Sequence, residues 1–446
     1  MKLTIVGGGG FRVPLVYGAL LGKAERLGLE EVVLHDVDAD RLARIGAVLD
    51  GLAEERGGRL PFRCTTDLDD ALEGTDYVFC AIRSGRLEGR VVDEQVPLAL
   101  GVLGQETTGP GGICFALRTI PEMVALAEAM AARAPGAWLI NFTNPAGMVT
   151  EAVQQVLGER AIGVCDSPSG LCRRVARALG RDRGELAFDY FGLNHLGWLK
   201  GVRDHDGELL PGLLADDAAL AGFEEGRLFG GEWLRTLAMV PNEYLYFFYY
   251  GRETVEAIRA STAPRGAFLL EQQAAFYAAG GQPPAEALAA WQATRHDRER
   301  TYMAEARSAA GDAGEHEIEE NAGYEAEAMA VLEAMVLNTR AVLILNTANR
   351  SSLPGLDARA VVEVPSVVGR AGPQPLAVGE VPAHAAALVA QMKDVERATI
   401  EAALTGSRAA AVRALALHPL VPSVTTARAI LDGYVERLPA LAAFSA

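Results

Sequence analysis

Lys2-Leu3-Thr4-Ile5-Val6-Gly7-Gly8-Gly9-Gly10-Phe11-Arg12-Val13-Pro14 follows the initial methionine. Lys2 to Val6 is an apolar run of strand length, and Gly7 to Gly10 is a tight turn. Val13 to Leu21 continues with helical spacing, and Pro14 sits where a first helical turn tolerates it. A second strand, Glu31 to Leu34, runs into His35-Asp36-Val37-Asp38. Strand, glycine turn, helix, strand, acid is the pattern of a nucleotide-binding βαβ unit. The helix N-terminus receives a pyrophosphate, and the acid accepts hydrogen bonds from ribose hydroxyls.

Working outward, apolar strands are expected at Tyr77 to Ile82, Ala137 to Phe142 and Ala161 to Val164. Helical stretches such as Ile120 to Ala132 and Ala146 to Val156 lie between them. This alternation predicts an α/β fold with a doubly wound, Rossmann-like parallel sheet, whose ligands bind beyond the carboxyl ends of the strands. Arg83, Asn141, Asn144 and Cys165 should therefore gather on one rim. After about Tyr190 the pattern changes to mixed helices and short strands, with long helices around Glu315 to Val342 and Ala383 to Leu404. Two domains are expected, residues 1–190 for nucleotide binding and an α+β domain over 191–446. Arg295 to Glu320, highly charged and containing Gly311 and Gly314, reads as a mobile segment.

Composition narrows the function. A net charge of −17 argues against nucleic acid and anionic membranes as partners, because both need a surplus of Lys and Arg. No uncharged apolar run is long enough to span a bilayer, and the N-terminus leads into a strand, which reads as a cytoplasmic protein. Five cysteines, Cys64, Cys80, Cys114, Cys165 and Cys172, fit free thiols in a reducing compartment. Cys165, in Gly163-Val164-Cys165-Asp166, and His195, in Gly192-Leu193-Asn194-His195, are of a type and setting that suit a transition metal.

Taken in order, the motifs resemble the NAD- and metal-dependent glycoside hydrolases of family 4. The pieces are Gly7-Gly8-Gly9, Asp36-Val37-Asp38, Arg90 to Glu94, Gly104-Gln105-Glu106-Thr107-Thr108-Gly109, Asn141-Phe142-Thr143-Asn144-Pro145, Gly163 to Asp166, Gly192 to His195, Pro241-Asn242-Glu243-Tyr244 and His418-Pro419-Leu420. They run nearly end to end. The resemblance implies NAD as a cofactor at Gly7, Gly8, Gly9, Gly10, Phe11, Asp36, Arg83 and Asn141. It implies Mn²⁺ or another divalent metal at Cys165 and His195, and substrate contacts at Arg90, Asn144 and Arg265. Tyr244 falls at the family's catalytic base and Asp166 at a position suited to protonate the leaving oxygen. The fold implied is like that of lactate and malate dehydrogenases, and the assembly a homodimer or homotetramer.

The chemistry the resemblance implies is a redox-assisted elimination, unlike the two-carboxylate route of ordinary glycosidases. Oxidation at sugar C3 makes the C2 proton acidic, a base removes it, the C1 aglycone leaves, water adds, and C3 is reduced again. The substrate class expected is a 6-phospho-β-glucoside. A 6-phospho-α-glucoside or an unphosphorylated glycoside is the alternative within the family. The residues after the glycines, Gly10-Phe11-Arg12, depart from the Ser or Thr common in phospho-glucosidase members, although Arg12 can pair with a phosphate through its planar fork. Two rival readings are a plain NAD-dependent 2-hydroxy-acid dehydrogenase and a non-catalytic NAD sensor. The first predicts no metal at Cys165 and His195, and the second has no need of Cys165, His195 and Tyr244 together.

Overall fold

The computed structural model describes residues 1–58, 60–260, 265–300, 307, 310 and 323–445. Strands β1 (Lys2–Val6), β2 (Glu31–His35), β3 (Phe62–Thr65), β4 (Tyr77–Cys80), β5 (Trp138–Asn141) and β6 (Ala161–Gly163) are parallel, in the order β3-β2-β1-β4-β5-β6. Their sequences are near-continuous apolar runs because both faces are covered: Val32, Val33 and Leu34 of β2 are all fully buried. One face packs Val16, Leu20, Ile45 and Leu49 with Trp291 and Leu332; the other packs Ile120, Met123, Val149 and Val153. The strand order reverses between β1 and β4, so the loops after those strands part there and leave a crevice.

The antiparallel ribbon β7 (Ala187–Leu193), β8 (Leu196–Arg203) and β9 (Val240–Pro241) forms a second, smaller sheet. Strands β10 (Ala341–Ala348), β11 (Val361–Gly369) and β12 (Gly372–Pro375) then return to the first sheet and extend it antiparallel beyond β6, through the pair Asn346–Gly163. Among the described residues the main sheet thus has nine strands, three of them from the C-terminal half, across the division read near Tyr190.

Two expected helices have other bounds. The helix expected from Ile120 runs Pro110–Arg133, since Pro110 is tolerated in its first turn and Gly111 and Gly112 are accommodated inside it. The helix expected over Glu315 to Val342 is described only as Tyr324–Leu337. It is closed by Asn338 at φ +54, and the apolar run that follows it is β10. Arg295 to Arg300 completes the helix Pro284–Arg300, whereas 301–320, apart from 307 and 310, lies outside the described residues. All five cysteines are free, and no helix among the described residues is long and apolar enough to cross a membrane.

Candidate active site

A cleft of about 590 Å³ opens at the carboxyl ends of β1, β2, β4, β5 and β6. Gly7, Gly10, Phe11, Asp36, Arg83, Arg90, Asn144, Cys165, Asp166, His195, Tyr244 and Arg265 all line it, so twelve of the fifteen residues expected from the sequence meet in one place. Gly8, Gly9 and Asn141 do not line it. The Gly8 N–H donates to the His35 carbonyl at 2.7 Å and the Gly9 N–H to Asp36 Oδ2 at 3.0 Å, so these amides fasten the turn to β2. Residue 9 must be glycine, because a β-carbon there would lie 2.7 Å from the Arg41 β-carbon. Asn141 is fully buried. Its Nδ2 donates to the Thr143 carbonyl (3.1 Å) and Thr150 Oγ1 (3.3 Å), and its Oδ1 accepts from the Thr143 N–H (2.9 Å). It therefore braces the turn that carries Asn144 instead of facing the cleft.

Cys165 follows β6, and His195 lies in the two-residue turn between β7 and β8, where Leu193 pairs with Leu196. His195 has φ +60, a left-handed conformation that costs a side-chain-bearing residue about 1–2 kcal/mol. Its ring stacks on Tyr244, with centroids 3.7 Å apart and planes 8° from parallel. Tyr244 itself sits in the one-turn helix Glu243–Leu245, whose start is fixed by the Tyr244 N–H donating to Asn242 Oδ1 at 3.0 Å. Ser167, beside Asp166, donates to Glu243 Oε1 at 2.6 Å and so ties the two candidate acid–base residues' backbones together.

The donor set fits a divalent metal. Burial holds the His195 imidazole down to about pKa 4, against the pull of Asp166 and Glu106, and so keeps it in the neutral form that ligates. Its Nδ1 is buried without a hydrogen-bond partner among the described residues. Burial, with Glu363 and Asp166 nearby, pushes the Cys165 thiol well up, so a cation is what this site needs to ionise it.

The cleft is also strongly basic. Seven arginines (12, 41, 83, 86, 90, 265 and 298) face four carboxylates among its lining residues, in a chain of net charge −17. Glu106 is the hub: it accepts from Arg83 and, at 2.8 Å, from Arg90, which also bonds Glu94 at 2.8 Å. Burial pushes the Glu106 carboxyl up, but Arg83, Arg90, Arg298 and Arg265 outweigh it and hold the group far below the usual range. Burial and the crowding of Arg12, Arg265 and Arg90 pull the Arg298 guanidinium well below its ordinary value. Arg12 lies 3.9 Å from Asp166. Glu106 thus sits among several guanidinium groups, a setting whose positive charge suits an anionic ligand.

Glu106 and Arg298 had no role assigned from the sequence. Arg298 was hidden in a charged stretch, although Trp291 and Arg298 are two helical turns apart and so share a face. On that helix Trp291 Nε1 donates to the Phe11 carbonyl at 2.8 Å, while Tyr277 donates to the Gly9 carbonyl at 2.8 Å from the preceding helix, Arg265–Ala278. The two helices that carry Arg265 and Arg298 thus also clasp the glycine turn.

A Rossmann-type crevice joined to a Cys–His pair defines a dinucleotide-binding α/β protein with a candidate metal centre. Residues 2–181 match the model of the family 4 glycosyl hydrolases, and residues 190–421 match that of the family 4 glycosyl hydrolase C-terminal domain. The chain belongs to glycosyl hydrolase family 4. It is 30% identical over 451 residues to a 6-phospho-α-glucosidase of Leptotrichia buccalis, covering 98% of this chain and 97% of that one. The 6-phospho-β-glucosidase of Thermotoga maritima, solved with manganese, NAD⁺ and glucose-6-phosphate, superposes with a TM-score of 0.82 at 25% identity, covering 98% of both chains. In fold alone, malate dehydrogenase of Plasmodium falciparum is similar, with a TM-score of 0.51 at 12% identity over 91% of this chain and 98% of that one.

Proposed function

We propose that this chain hydrolyses O-linked 6-phospho-glucosides, with NAD⁺ and a divalent metal as cofactors. The observation that carries the reading is the surplus of arginines in the same cleft that Cys165, His195 and Tyr244 line. A dinucleotide pyrophosphate and a sugar phosphate are the two anions such a cleft accommodates. Asp36, at the end of β2, faces the ribose. Arg90 and Arg265, with Arg12 and Arg298, hold the sugar phosphate. Phe11 and Arg12 replace the hydroxyl residue that family members of this type often carry there, and Arg12 supplies a charged donor in its place.

Cys165 and His195 are the residues that would hold the metal. When bound, NAD⁺ would supply reversible hydride transfer at C3 and the metal a Lewis acid for the sugar oxygens. Asn144 binds sugar hydroxyls. Tyr244, stacked on the ligand ring of His195, removes the C2 proton, and Asp166 at the head of the helix Ser167–Ala178 gives a proton to the leaving oxygen. The base works at C2, so the configuration at C1 does not decide which residues act.

The sequence pointed to β-linked substrates, a reading supported by the Thermotoga relative. The 30% identity to a 6-phospho-α-glucosidase over nearly the whole chain favours the α-linked reading. Aryl 6-phospho-α- and 6-phospho-β-glucosides, and their unphosphorylated counterparts, offered with NAD⁺ and Mn²⁺, test both. Cleavage of a phosphorylated anomer supports the function and assigns the linkage; cleavage of unphosphorylated glycosides alone refutes it.

A further inference from the structure

Asn194 and His195 together make the turn from β7 to β8, and the Asn194 amide is held at both ends. Its Nδ2 donates to Glu363 Oε1 at 3.2 Å. Its Oδ1 accepts from the Ala146 N–H at 3.1 Å, and that same N–H reaches Asn144 Oδ1 at 3.3 Å. The residue before the expected metal ligand and the residue expected to bind sugar hydroxyls thus meet at one backbone donor.

Glu363, on β11, is 1% exposed and ion-paired to no Lys or Arg among the described residues. It accepts instead from neutral donors, Asn346 Nδ2 at 2.9 Å and the Tyr190 hydroxyl at 3.1 Å, besides Asn194. The Tyr190 hydroxyl reaches it only because residue 197 is glycine, since a β-carbon there would lie 2.1 Å from that oxygen. The Ala146 N–H can only donate, which leaves the Asn194 amide one orientation: Oδ1 faces Ala146 and Nδ2 faces Glu363 on β11.

We propose that Glu363 is a positioning residue that, through Asn194, sets the His195 imidazole and the Asn144 turn in one geometry. The inference rests on reading Cys165 and His195 as metal ligands. It assigns Glu363, far along the chain, to the support of that site, where outer partners ordinarily tune affinity.

The test is Mn²⁺ binding without substrate, followed by paramagnetic resonance of the free ion, together with calorimetric NAD⁺ binding. Asn194→Ala and Glu363→Leu should each weaken Mn²⁺ binding by about 10- to 100-fold. The double variant should be no weaker than the worse single one, because both break the same link. Glu363→Gln, which keeps an oxygen for Asn194, should restore most of the affinity, and NAD⁺ binding should not change. If Glu363→Leu does not fold, the contrast between Asn194→Ala and Glu363→Gln decides. Wild-type Mn²⁺ affinity in Asn194→Ala, or losses that multiply in the double variant, would overturn the proposal. Cys165→Ser separates the two readings. If it binds Mn²⁺ as tightly as the wild type, the metal site itself is wrong and the inference falls with it. If it loses Mn²⁺ while Asn194→Ala does not, only the inference fails.

Discussion

The rings of His195 and Tyr244 lie face to face, 3.7 Å between centroids and 8° from parallel. A stack of this kind is worth about 0.5–1.5 kcal/mol beyond burial, which helps to hold the plane of the His195 imidazole in its left-handed turn. It also fixes where the phenol oxygen stands relative to whatever His195 binds.

Tyr244→Phe keeps the ring and its stack, so the variant should fold and bind NAD⁺ and metal as the wild type does. The rate should fall by about 100- to 10,000-fold, the usual contribution of a general base. Exchange of the C2 hydrogen with deuterated solvent should fall with it. Exchange at the wild-type rate would show that another group takes the proton.

Much of this was legible in the sequence, because the signals are local. Lys2–Val6, Gly7–Gly10 and Val13–Leu21 are contiguous and carry their own periodicity, and both elements have the bounds expected. Residues at the ends of parallel strands share a rim by topology, which brought Arg83, Asn144 and Cys165 together. Features made by distant segments were not legible. No local pattern in Val361–Gly369 says that β11 will lie behind His195, or that Glu363 will meet Asn194. Asn141 misled for the same reason: at a strand end a side chain either lines the crevice or ties down its own loop, and only the fold decides which.

Arg298 supplies a testable part of anion recognition. Arg298→Met removes the charge while keeping a long side chain, and should raise KM for a 6-phosphorylated glucoside by about 10- to 100-fold, the cost of a charge-assisted hydrogen bond. KM for an unphosphorylated analogue should hardly change. Equal losses on both would place Arg298 away from the phosphate.

His418 predicts a pH dependence of stability. It is buried, its Nδ1 accepts from the Leu420 N–H at 3.1 Å, and burial lowers its pKa from 6.5 to about 3. Below about pH 6.5 the unfolded chain takes a proton that the folded chain refuses until about pH 3. Stability should therefore fall as pH drops through that window, by up to about 1.4 kcal/mol per pH unit from this group, and its contribution should not vary above pH 7. His418→Asn, which can still accept from Leu420, should flatten the slope in denaturant titrations between those limits. An unchanged slope would assign it to other groups.

The central claim is that bound NAD⁺ is used and restored within each cleavage. The most direct measurement follows product release from the preferred 6-phospho-glucoside together with absorbance at the NADH band, with Mn²⁺ present and NAD⁺ far below substrate. The account predicts many cleavages per NAD⁺, no growth of NADH, and loss of activity when either cofactor is removed. NADH accumulating in step with product, or cleavage that persists without NAD⁺ and metal, would contradict it.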